Sequence, residues 1–185
     1  SLLVAAQSAD ATTASVMLAG LLARRGLALG AQILGLRRTG AQSGISGVEH
    51  VTGLEQLVER SDHIVIAVPA TPQTCHLFDD ALLSRVKPGA HIINVARGSV
   101  IDQDALIRAL ERPDGPGFAT LDVTDPEPLP DGHRLYTHPQ VRLTPHVSSN
   151  HTLVRHRLLE KIRDDISRFA RGEKPSDIVD RSRGY

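Results

Sequence analysis

Three short segments hold residue types suited to carbonyl chemistry: NVARGSVID with Arg97, LDVTDPEPLP with Glu127, and LTPHVSSN with His146. A guanidinium can grip a carboxylate through two parallel hydrogen bonds and stabilise an oxyanion as it forms. An imidazole, with an ordinary pKa of about 6.5, exchanges protons near neutrality. A carboxylate beside it fixes the tautomer and favours the protonated ring. The set suits reduction of a small keto acid by a separate hydride donor. Taken singly, each has a plainer reading: Arg97 caps strand-end carbonyls, His146 is a satisfied histidine, and Glu127 is a loop carboxylate. Only their joint occurrence points to a site.

Such residues act together only if the elements between them converge. Short β-branched runs, AQILGLRR (31–38), HIVIAVP (63–69), HIINVA (91–96), FATLDV (118–123) and VRLTPH (141–146), alternate with helix-period segments. The pattern predicts an α/β, doubly wound, Rossmann-like fold with a mostly parallel sheet. The runs are continuous rather than alternating, as expected when both faces of a sheet are covered. LEQLVERS, DDALLSRV and DQDALIRALER read as helices, the last two with Asp79 and Asp102 as N-caps. Ala105, Leu106, Ala109 and Leu110 form one stripe. A long helix over 151–171 is stopped by Gly172, ahead of a polar tail. Arg97, Glu127 and His146 then all follow carboxyl ends of strands, where sheets of this class place their sites.

Composition narrows the function further. The 185 residues carry 21 basic and 21 acidic side chains, so no global field favours nucleic acid or an anionic membrane. Lys stands only at 87, 161 and 174, leaving Arg as the main cation. A single Cys75 permits no internal disulfide or paired-thiol zinc site and fits a reducing cytoplasm. Gln7, Ser8, Asp10 and two Arg interrupt the apolar opening, which therefore matches neither a signal peptide nor a membrane span. No metal is expected. His151 and His156 are five apart on a predicted helix and diverge by roughly 140°, so they and His146 do not make a zinc triad.

The run SDHIVIAVPATPQTCHLFDDALLSRVKPGAHIINVARGSVIDQDALIRALE, followed by LDVTDPEPLP and LTPHVSS, resembles the D-isomer-specific 2-hydroxyacid dehydrogenases, which include glyoxylate and hydroxypyruvate reductases. The resemblance covers residues 28–171 and keeps several motifs in the family's order. It implies an oxidoreductase moving hydride between NAD(P)H and a small 2-keto acid or D-2-hydroxy acid. Arg97 would bind substrate, and His146 would be the acid/base, paired with Glu127. Asp122 would face the nicotinamide carboxamide, Val68, Pro69 and Thr74 would line the cofactor cleft, and Ala96 and Ser148 would lie near the nicotinamide. A homodimer is implied, with the apolar helix at 12–25 as a candidate contact surface.

Where the family often carries an acidic residue to bind ribose hydroxyls, this chain has Arg37, Arg38 and Thr39. Two guanidiniums there favour a 2′-phosphate, so NADP is expected over NAD. The family's G-x-G-x-x-G turn is not found before residue 31. One reading makes SLLVA a strand, QSADAT the turn and TASVMLAGLLARR the helix. The preferred one makes 1–26 an interdomain helical segment, 27–171 the NAD(P)-binding and catalytic domain, and 172–185 a tail. On that reading the first strand, the glycine turn and most of the first helix, along with the substrate lobe, are expected to be absent. The alternative function is a degenerate, non-catalytic nucleotide-binding or assembly module of the same fold.

Overall fold

The structure, a computed structural model, describes residues 2–5, 13–36, 44–148, 151–176 and 178. Seven strands form one all-parallel sheet: β1 (Leu2–Ala5), β2 (Ile33–Leu36), β3 (Val48–His50), β4 (His63–Ile66), β5 (His91–Asn94), β6 (Phe118–Leu121) and β7 (Val141–Leu143). Their spatial order is β3-β2-β1-β4-β5-β6-β7. The helices are α1 (Thr13–Ala28), α2 (Leu54–Arg60), α3 (Asp80–Leu83), α4 (Gln103–Leu110) and α5 (His151–Ala170). The strand order reverses between β1 and β4, and in open sheets of this kind a crevice opens there beyond the carboxyl ends.

The predicted helices form for the anticipated reasons. Asp79 accepts the Leu82 N–H at 2.9 Å and Asp102 the Ala105 N–H at 3.0 Å, each satisfying an orphan donor at a helix start. In α4, Ala105, Leu106, Ala109 and Leu110 are all buried, as their stripe requires, and they join Ile64, Ile66, Ile92, Leu121 and Phe78 in the main core. At the end of α5, Gly172 has φ +73°; its N–H reaches Phe169 O and that of Glu173 reaches Arg168 O, the two bonds of a Schellman stop.

The sheet corrects one expectation. Residues 1–26 are not a segment ahead of a truncated nucleotide fold, because β1 is hydrogen-bonded between β2 and β4 at the centre of the sheet, with Val4 in register with Gly35 and Val65. α1 is the crossover from β1 to β2, so strand and first helix are both present. Residues 2–36 span the roughly 30 residues of a βαβ unit, a count that outweighs the missing glycines. The connecting residues 6–12 lie outside the described residues. The second difference is β3, which pairs with β2 through Ile33↔Val48 but at three residues is too short to carry a period.

Candidate active site

The first wall is built by Asn94, at the end of β5. Its buried side chain accepts the Ala96 N–H at 3.0 Å and donates to Arg97 O at 2.9 Å, closing a tight turn that aims Arg97 beyond the sheet. The Arg97 guanidinium is exposed and bonds the neighbouring Ala96 carbonyl at 2.6 Å. Among the described residues no carboxylate is ion-paired with it. Asn94 lay within the quoted motif, yet nothing in the sequence distinguished it from any polar strand end; only its burial reveals the role.

The second wall is the loop after β6. Gly98 makes the close approach possible: a Cβ there would stand 2.0 Å from the carbonyl carbon and oxygen of Thr124. Gln103, in the first turn of α4, clamps the same loop from the other side, donating to Asp125 O at 2.5 Å and accepting the Asp125 N–H at 3.1 Å. The Asp125–Pro126 and Glu127–Pro128 peptides are both cis. Glu127 reaches the third segment, where its Oε1 lies 2.8 Å from His146 Nδ1. Both side chains remain partly exposed, at 39% and 43%.

His146 has φ +52°, a left-handed conformation uncommon for residues other than glycine. Its N–H donates to Asp122 O at 2.9 Å and to Thr144 O at 3.0 Å. Asp122 is buried at the end of β6, and its carboxylate accepts the Thr144 hydroxyl at 2.5 Å and the Val147 and Ser148 N–H groups at 3.0 and 2.9 Å. Burial alone would raise its pKa, but the bonds from Thr144, Ser148 and Val147 outweigh it and hold the carboxyl down at about 2. Asp122, Glu127 and His146 also share the wall of a cavity of about 680 Å³ with Leu129, Tyr136 and Leu143.

The structure brings Arg97, Asp122, Glu127, His146 and Ser148 to one edge of the sheet, after β5, β6 and β7. Val68 and Ala96 are buried and Pro69 half-buried beyond β4 and β5, on the side nearer β1. Thr74 is fully buried; its hydroxyl donates to Pro69 O at 2.7 Å and accepts the Thr71 N–H at 2.8 Å, so it shapes the 69–74 loop from within. Arg37, Arg38 and Thr39 follow β2 and lie outside the described residues. Among the described residues no group of three or more His, Cys, Asp or Glu is arranged to hold a metal, and no helix is long and apolar enough to cross a membrane.

An all-parallel, doubly wound sheet reversing between β1 and β4 defines a Rossmann-like nucleotide-binding domain. Residues 18–148 match the family model described as D-isomer specific 2-hydroxyacid dehydrogenase, NAD binding domain. This chain belongs to that family. It is similar to glyoxylate reductases from Korarchaeum cryptofilum, 38% identical over 85% of this chain and 47% of that protein, and Thermofilum pendens, 37% identical over 78% and 42%. Among solved structures, the NADPH-dependent glyoxylate/hydroxypyruvate reductase of Sinorhizobium meliloti, in complex with NADP and sulfate, superimposes with a TM-score of 0.84 at 27% identity, covering all of this chain and 57% of that one. A D-isomer specific 2-hydroxyacid dehydrogenase from Xanthobacter autotrophicus, in complex with NADPH and MES, gives 0.82 at 33% identity, covering all of this chain and 73% of that one. The chain spans about half the length of the curated relatives it matches.

Proposed function

We propose that this chain forms the cofactor-binding and catalytic half of an NAD(P)H-dependent reductase of small 2-keto acids. The observation that carries the reading is the 2.8 Å His146–Glu127 pair at the same ends of the strands as Arg97, with which no carboxylate among the described residues is ion-paired. Arg97 would receive the substrate carboxylate, Glu127 would hold the imidazole through Nδ1, and His146 would give its Nε2 proton to the keto oxygen. The nicotinamide cofactor, when bound, supplies the hydride. The reversal between β1 and β4 fits such a group: Val68, Pro69 and Ala96 would line the cleft, and Asp122 and Ser148 would stand at the nicotinamide end.

NADP is the cofactor we favour, held at its 2′-phosphate by Arg37, Arg38 and Thr39; the two solved relatives named above carry NADP or NADPH. A homodimer is part of the proposal, with α1 as its contact, since Leu18 and Leu21 are exposed. The proposed compartment is the cytoplasm. The test is NADPH oxidation by the purified protein with glyoxylate and hydroxypyruvate, beside the His146→Ala variant. Turnover lost in the variant supports the reading; equal turnover in both removes His146 from the mechanism. NADPH binding without turnover in the unsubstituted protein would favour the non-catalytic module, to which the lack of glycine in residues 6–12 gives some support.

A further inference from the structure

We infer that Asp122 is a positioning residue for His146, its carboxylate locking the 144–148 turn so that the imidazole is presented from a left-handed backbone. The inference rests on the acid/base role proposed for His146. Three consecutive N–H groups, of His146, Val147 and Ser148, all donate to this one residue, the first to its carbonyl at 2.9 Å and the others to its carboxylate at 3.0 and 2.9 Å. Successive N–H groups around a left-handed residue make a concave anion site, a nest. Here the anion comes from the protein's own β6, and the Thr144 hydroxyl closes the ring at 2.5 Å.

The chemistry calls for a carboxylate. Every partner of the Asp122 carboxylate is a donor, and an ionised Asp side chain is acceptor-only with about four lone-pair sites. The isosteric amide would point its NH₂ at one of those donors, leaving a backbone N–H unmet. A non-glycine residue at positive φ persists only where its surroundings over-determine it. For His146 those surroundings include the Asp122 carbonyl, which shares its N–H with Thr144 O, and the Asp122 carboxylate, which holds the next two residues of the chain, alongside Glu127 on the ring. Asp122 is itself fixed: it is buried, and its N–H donates to Asn94 O at 3.0 Å. The same β5 end that shapes the Arg97 turn thus anchors the residue that shapes the His146 turn.

Amide hydrogen exchange in cofactor-free protein tests this directly. In Asp122→Asn the amides of residues 146–148 are expected to exchange about tenfold faster or more, with those of Ile92 and Leu121 in the sheet unchanged. With glyoxylate, kcat should fall while KM stays close to that of the unsubstituted protein. Unchanged protection at 146–148, or a loss spread evenly over the sheet, would overturn the inference. Should Asp122→Asn not fold, Thr144→Val removes one donor alone. It should loosen the same amides to a smaller extent, and no change there would count equally against the brace. Faster exchange with full turnover would overturn the positioning role while leaving that of His146 to stand or fall by the His146→Ala variant.

Discussion

Glu127 Oε1 and His146 Nδ1 stand 2.8 Å apart although nineteen residues separate them and they follow different strands. The contact exists because Gly98 and Gln103 press the 124–127 loop toward the sheet edge while Asp122 turns His146 to meet it. Substituting either partner therefore probes chemistry more than folding, since both side chains are partly exposed. His146→Ala should lower keto-acid reduction by about 10²- to 10⁴-fold, and Glu127→Gln by roughly tenfold, each with little change in NADPH affinity. Steady-state kinetics with titration of cofactor binding will distinguish these losses, and wild-type kcat in both variants would exclude the pair.

Gly98→Ala should strike the site through the backbone. The new methyl would meet the Thr124 carbonyl at 2.0 Å, and neither partner is a flexible side-chain end. The loop must retreat, at a cost of about 1–3 kcal/mol in stability. Urea unfolding measures that cost, and loss of turnover beyond it would register the displacement of Glu127 from His146.

Acid should find Asp122. Its folded-state pKa of about 2 lies below the ordinary 3.8, so its contribution is complete above the ordinary value and disappears as pH falls toward about 2. The shift corresponds to about 2 kcal/mol. The stability gap between the unsubstituted protein and Asp122→Asn should therefore be widest near neutrality and narrow through that acid window. Denaturant titrations over the range, giving a constant gap, would contradict it.

Cofactor preference should follow Arg37 and Arg38, the basic pair after β2 in the sequence. Replacing Arg37 and Arg38 with Ala is expected to weaken NADPH binding by roughly tenfold for each guanidinium lost from the phosphate and to leave NADH nearly untouched. Equal loss for both cofactors would mean that the arginines do not read the 2′-phosphate.

Local rules made much of this molecule legible from the chain alone. Continuous runs at 33–36, 63–66, 91–94, 118–121 and 141–143 mark strands, and Asp79, Asp102 and Gly172 mark helix ends by chemistry that acts within a few residues. The types and order of Arg97, Glu127 and His146 likewise suggest the reaction class proposed above. What stayed hidden depends on contacts between distant segments. β1 is four residues whose place at the centre of the sheet comes from bonding to β2 and β4, and β3 exists only through its pairing with β2. Asn94 and Gln103 look like ordinary polar residues, and Asp122 is marked only by resemblance and for another role, until the approach of a loop from elsewhere turns their side chains into clamps. Hydrogen bonds that hold a site are made by whatever atoms the fold brings within about 3 Å, and that proximity is a property of the packed chain.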